Sequence, residues 1–411
     1  MNGLALVDLF MDTSKWMEFF PTIVSRAITI EVVSSGILGS QIGTLQLMYE
    51  ELQVLSPLVP TRQIYFLRFC QQIEQGSWAI VDVSYDLPHQ ESQFASSCKA
   101  HRLPSGCLIQ DMPNGYSKVT WVENWEIEDR APIHRLYRDL IHSGLAFGAE
   151  RWLSTLQRIC ERFACLMVTG NSTRDIGGVI PSPEGKRSMM KLAQRMGQTS
   201  LKCEQHFIRA PDPGQPNAVV LGAATTIWLP ISAQNIFNFF RDERTRPQWD
   251  VLSNQNPVQE VAHIANGAHP GNCISVLRAL NTNQNMLILQ ESCIDKSGSL
   301  VVYGPVDLQS INIAMSGADP SCIALLPSGF TISPDGRQQD QLQAGGSDQG
   351  ASTSSSIGIG GSSAGSLITI VFQILVSSPS AKMSQESVTT VNNLIGNTVH
   401  QIKAALNCTT S

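Results

Sequence analysis

The chain has 411 residues, 42% hydrophobic and 15% charged, with a formal net charge of −6 and a pI near 5.8. That length calls for two domains or three. The acidic balance excludes an overall basic field that would gather nucleic acid, leaving only a local basic patch open.

Ten cysteines occur singly with no C-x-x-C pair, so no zinc or thiol-redox motif is indicated and a reduced, intracellular setting is the simpler reading. Residues 1–20 read as helix, with Trp16, Phe19 and Phe20 ahead of the stop at Pro21. The opening MNGLALVDLFMD carries Asp8 and Asp12 and no basic run, which fits an amphipathic helix and not a signal peptide. Strands follow at about 26–34, 43–55, 62–70, 78–85, 97–103 and 116–127. Between 78 and 85 the pattern alternates, placing Ala79, Val81, Val83 and Tyr85 on one face and Asp82 and Ser84 on the other. Pro113-Asn114-Gly115 marks a turn.

From Pro132 to Met167 apolar residues recur every three or four positions, at Leu136, Leu140, Trp152, Leu156, Ile159 and Phe163 among others, and predict one amphipathic helix. At 1.5 Å per residue it would be about 50 Å long. Residues 169–200 read as a linker rich in glycine and proline. It leads into the basic cluster Lys186, Arg187, Lys191 and Arg195, either a solvated helix face or a phosphate or nuclear-import contact.

The pattern then restarts: a strand at 218–228, a helix at 232–241, and strands near 259–265, 271–281, 285–295, 299–313 and 322–333. A Gln/Gly/Ser-rich stretch at 336–366 reads as a disordered loop, followed by a strand at 367–376 and a closing helix at 386–406. The uncharged run 213–240 is broken by Pro213, Pro216 and Pro230, and 367–376 is too short to cross a bilayer, so no membrane span is predicted. Helix, antiparallel strands and a closing helix, twice over, indicate an α+β fold.

At this point whole segments become recognisable. GTLQLMYEELQVLSPLVPTRQIYFLRFCQQIEQGSWAIVDVSYD (43–86), RLPSGCLIQDMPNGYSKVTWVENWEI (102–127), IPSPEGKRSMMKLAQRM (180–196), VLSNQNPVQEVAHIANG (251–267) and LLPSGFTISPDG (325–336) resemble plant class IV homeodomain–leucine zipper transcription factors. The resemblance implies a START (StAR-related lipid-transfer) domain over 1–168, lacking its own beginning. After the linker 169–200, it implies a START-adjacent domain of similar plan over 201–411. It further implies a helix-grip fold, a curved antiparallel sheet whose long C-terminal helix, 132–167, closes an apolar cavity. The family's homeodomain and zipper are expected upstream; this chain shows neither a basic recognition helix nor a leucine heptad run, so contact with DNA is expected only through a full-length relative.

Implied partners are therefore a hydrophobic small molecule, lipid or sterol, and related transcription factors, with no cofactor or metal. The implied setting is the nucleus, with the cytoplasm as the alternative for a form without its DNA-binding part. Arg68 matches an arginine that lines the cavity in sterol-binding START domains, with Glu50 or Glu51 on the preceding strand as its carboxylate partner. The plainer alternative has Arg68 pointing to solvent or paired at a sheet edge. Trp78, Tyr85 and Trp121 are candidate cavity walls, with ordinary core packing as the alternative for each.

No catalytic constellation emerges. Gly361-Ser362-Ser363-Ala364-Gly365 matches G-x-S-x-G only inside low-complexity sequence. His134 and His142 are spaced too far apart for helical zinc ligation. A ligand-responsive regulatory region is thus expected, the rival being an interaction or dimerisation scaffold without a ligand, and enzyme activity is not expected.

Overall fold

Two largely antiparallel sheets, each backed by helices, organise the computed structural model. Its described residues are 1–86, 98–128, 133–167, 182–203, 208–209, 219–253, 255–280, 286–337, 365–376 and 385–408. Most of the predicted loop 336–366, all of the G-x-S-x-G match but Gly365, and the first part of the predicted linker lie outside them.

In the first half, helices α1 (Gly3–Met11) and α2 (Thr13–Phe19) are capped by Asn2 and Asp12, whose side chains accept from main-chain N–H groups at Ala5 and Ser14. The sheet order is β1 (Val24–Ser35), β2 (Thr44–Leu52), β3 (Arg62–Glu74), β4 (Ser77–Ser84), β6 (Ser105–Asp111) and β7 (Ser117–Val122). β5 (Cys98–Arg102) pairs parallel with the start of β3 and antiparallel with β8 (Trp125–Glu128). Strands β3 and β4 join through a short turn in which Gly76 takes φ +77°, a conformation that side chains disfavour.

The long helix predicted at 132–167 is two helices. α3 (Arg138–His142) ends at Gly144, φ +78°, and α4 (Ala149–Met167) starts after a tight turn. In that turn the Gly148 N–H donates to the Gly144 carbonyl at 2.7 Å, and a Cβ on Gly148 would meet that oxygen at 2.6 Å. α4 is therefore only about 28 Å long. Its Trp152, Leu156 and Ile159 pack onto the inner face of the first sheet.

The second sheet runs β11 (Val258–Ala265), β12 (Cys273–Ala279), β13 (Met286–Asp295), β14 (Gly298–Asp307), β15 (Ser328–Pro334), β16 (Ser366–Val376), β10 (Val219–Leu229) and β9 (Ile208–Arg209). The strand expected over 299–313 stops at Asp307, whose carboxylate accepts from Ser310 N–H and opens α7 (Leu308–Met315). α6 (Ala233–Arg241) and α8 (Gln385–Ala405) cover one face.

The other face is covered by α7 and by α5 (Pro183–Cys203). Residues 183–200, read as linker, are thus a packed helix: Met189, Met190, Leu192, Ala193 and Met196 are fully buried against β12–β14, and Lys186 is buried with them. Their methionines and leucine sit three and four apart, the spacing of a buried helix face. The two halves meet across α4, where Arg158 donates to Asp295 on β13 at 2.8 Å and Arg162 pairs with Glu291. Tyr137 and Thr369 add a hydroxyl contact at 3.1 Å.

Candidate functional site

Strand register decides which side chains meet inside the first half. Gln46 on β2, Arg68 on β3, Asp82 on β4 and Ser105 on β6 are successive cross-strand partners, so their side chains fall in one row on the inner face. Arg68 is 1% exposed and forms a two-pronged pair with Asp82, Nε to Oδ1 at 2.9 Å and Nη2 to Oδ2 at 2.8 Å. Its Nη1 donates to the Phe10 carbonyl at 2.7 Å, and its guanidinium lies 4.2 Å from the Trp16 ring centroid.

Arg102, at the end of β5, extends the cluster. Its Nη1 donates to Asp82 Oδ2 at 3.0 Å and lies 3.4 Å from Glu50 Oε2; its Nε lies 3.5 Å from Glu123 Oε2. Trp16 Nε1 donates to Glu50 at 2.8 Å and Trp121 Nε1 to Glu123 at 2.8 Å. Two guanidinium groups thus face three carboxylates in a water-poor interior.

The charge on that interior shows in its titration. Burial pushes the Glu123 carboxyl above its ordinary range, more than Arg102 and the Trp121 N–H pull it down. For Arg68 burial works against the charge, yet Asp82 and Glu50 outweigh it and hold the pKa above the ordinary arginine value. Cys70 and Cys107 line the same face as neutral thiols, burial raising Cys70 to about 11 and Cys107 further.

Aromatic rings complete the interior. Trp16, Trp121 and Trp152 stack mutually at 5.1–6.0 Å with interplanar angles of 15–27°, and Phe10 and Phe20 pack on their edges. Four donors amid them have no hydrogen-bond acceptor among the described residues: Arg102 Nε and Nη2, Trp125 Nε1 and Trp152 Nε1. Arg102 lies 4.5 Å from the Trp125 ring centroid and 6.0 Å from that of Trp152, so the side chains that carry these donors are neighbours.

Of the residues singled out from sequence, Arg68, Glu50, Trp78 and Trp121 lie on the inner face. The carboxylate that forks Arg68 is Asp82 on the following strand, not Glu50 or Glu51 on the preceding one. Glu50 serves Trp16 and Arg102 instead. Glu51 has the opposite parity and turns outward, to the Tyr49 hydroxyl at 2.5 Å and Arg26 at 3.8 Å. Tyr85 is 40% exposed on the outer face with Val81 and Val83, so the expected inner face of β4 is the outer one, and Asp82 faces in with Trp78 and Ile80. Trp78 packs against the start of α1, away from the ionic cluster.

Sequence reasoning missed Asp82, Arg102 and Glu123, and placed Trp16 and Trp152 in helices without assigning them to the site. The one usable signal was Asp82 inside a strand, two residues from Ile80, on the parity of Trp78.

Comparison with known proteins accords with this architecture. The START domain family matches residues 1–162, and the family described as PDF2-like, C-terminal domain matches residues 204–408. The homeobox-leucine zipper protein HDG11 of Arabidopsis thaliana is 60% identical over 99% of this chain and 57% of its own length. ROC8 of Oryza sativa subsp. japonica is 56% identical over 99% of this chain and 60% of its own length. Human StAR-related lipid transfer protein 5 superposes with a TM-score of 0.28 at 16% identity, over 36% of this chain and 64% of that one, a likeness too slight to bear on the reading. The chain therefore spans less than two thirds of these plant relatives. A START domain followed by the C-terminal domain of these relatives, at such identity over nearly every residue, makes the chain a member of the plant class IV homeodomain–leucine zipper family, corresponding to its START and START-adjacent region.

Proposed function

We propose that this chain is the ligand-responsive regulatory region of a nuclear transcription factor, and that its START half takes an apolar lipid or sterol whose polar end sits beside Arg102. The observation that carries this is the group of unpartnered donors on neighbouring side chains, Arg102 Nε and Nη2, Trp125 Nε1 and Trp152 Nε1, within the aromatic interior. Buried donors without acceptors cost about 1–3 kcal/mol each, which a hydroxyl or carbonyl oxygen of a ligand would relieve.

Entry requires Trp152 on α4 to leave its stack with Trp16 and Trp121, so binding would be coupled to displacement of α4. Since α4 also carries Arg158 and Arg162 into the second half, the bound state would be felt there and by related transcription factors as partners. DNA is reached through homeodomains of full-length relatives, and the role is regulatory, not enzymatic.

One observation favours a second reading, a scaffold without ligand: the three tryptophans already fill the interior. Native mass spectrometry of the chain purified from plant cells separates the two. The ligand reading expects a co-purifying lipid mass that is lost on Arg102→Leu. An unliganded mass in repeated preparations supports the scaffold.

A further inference from the structure

A second place for a ligand lies at the seam between the halves. There a cavity of about 70 Å³ is bounded by α4 and the α3–α4 turn on one side and by β13, β14 and β15 on the other. That is room for roughly five waters, or about six heavy atoms of a small organic molecule. Its walls include Val54, Leu140 and Leu145 from the first half, with Leu145 41% exposed at the mouth.

Its charged groups do not balance. Arg158 gives Nε to Asp295, while its Nη1 and Nη2 donate to none of the described residues. Arg151 donates to the carbonyls of Thr22, Gln53 and Ala146 at 2.5–3.0 Å. Burial pushes its pKa down to about 10, with Asp295 acting weakly the other way. Two guanidinium groups against the Asp295 carboxylate leave a net charge of +1. Ser299, 7% exposed, lines the same cavity with an Oγ that has no partner among the described residues.

We propose that this cavity binds a small monoanionic carboxylate with a short alkyl tail, and that such a ligand bridges the two halves. The flat fork of Arg158 matches a carboxylate in two-pronged fashion, and the Ser299 hydroxyl supplies a further donor. One negative charge restores neutrality in a half-buried site, whereas a doubly charged phosphate would overshoot it and leave the apolar walls bare. The tail would rest on Val54, Leu140 and Leu145. Because Arg158 belongs to one half and Ser299 to the other, the ligand would hold them together. This site is separate from the START interior and does not depend on its being occupied.

Saturation-transfer NMR and calorimetry on the full chain with butyrate test this, using 1-butanol, octanoate and inorganic phosphate as comparisons. Butyrate is expected to bind saturably and at least tenfold more tightly than 1-butanol, and at least tenfold more tightly than octanoate, which exceeds the cavity. Arg158→Leu should abolish binding. Leu145→Trp should also abolish it by closing the mouth without touching a charge, and decides the matter if the arginine variant does not fold. Equal binding of butanol and butyrate, tighter octanoate, displacement of butyrate by equimolar phosphate, or undiminished butyrate binding to folded Leu145→Trp would each overturn the proposal.

Discussion

The two halves share a plan but solve their interiors differently. On the inner face of the first sheet Glu50, Arg68, Asp82, Arg102 and Glu123 form a connected ionic cluster, held between strands and three stacked tryptophans. On the second, Arg246 donates to Asp250 at 2.7 Å within a shell of Phe240, Trp249, Tyr303 and Phe330. Covering differs too. The second sheet is sandwiched between α6 and α8 on one side and α5 and α7 on the other, while Ile28, Val32, Phe69, Val81 and Val83 stand exposed on the outer face of the first. The first half therefore sets an ionic cluster into an apolar, aromatic core and leaves apolar side chains on its uncovered outer face. Stability alone does not call for such a cluster, since buried ion pairs are often no better than well-packed apolar groups.

The sharpest way to break this comparison is to remove the carboxylate that serves both arginines. Asp82→Leu should cost about 3–5 kcal/mol by urea unfolding, because Arg68 and Arg102 are left buried and short of counter-charge. The double variant Arg68→Met/Asp82→Leu should lose less than the sum of the single changes. Next in size, Met196→Ala should cost about 2–5 kcal/mol, since this fully buried residue of α5 belongs to the second core. A loss near zero would return 183–200 to the status of a linker.

A smaller effect sharpens the electrostatic side. Glu123→Gln should stabilise the chain at pH 7, because burial penalises the ionised carboxyl more than Arg102 and the Trp121 N–H favour it. The sign follows from the raised pKa. The folded state binds the Glu123 proton more tightly than the unfolded state, so wild-type stability falls as pH rises above the unfolded carboxylate value near 4.3. The advantage of glutamine should therefore vanish in urea titrations below about pH 4 and be complete once the folded pKa is passed. Smallest of all, Tyr85→Ser on the outer face should change stability by less than about 0.5 kcal/mol, measured the same way.

The positions of many strands, the turn at Pro113-Asn114-Gly115 and the C-terminal helix were legible from period-two alternation, from turn residues and from the apolar stripe of 386–406. Face assignment was not. Alternation says that Val81 and Val83 share a side, but which side is covered depends on α1, α2 and α4, which are distant in sequence. The inversion hid Asp82 and sent the search for a partner of Arg68 to the wrong strand. Arg102 was illegible for a related reason: it reaches the cluster through the parallel pairing of β5 with β3, a long-range event with no local signature. The break at Gly144 and Gly148 was written in the chain, yet the apolar stripe runs through it because α3 and α4 both face inward. For α5, glycine and proline nearby masked a methionine-rich helix face.

The central claim is that the grip opens at its tryptophans to receive an apolar ligand beside Arg102. Energy transfer from tryptophan to the fluorescent sterol dehydroergosterol, titrated into the full chain, tests it most directly. The account predicts saturable transfer, strongly reduced in Arg102→Leu and accompanied by faster hydrogen exchange in α4 at partial occupancy. Wild-type protein that stays folded yet shows no transfer with dehydroergosterol, and none with dansyl-labelled phospholipid or fatty acid, would contradict it.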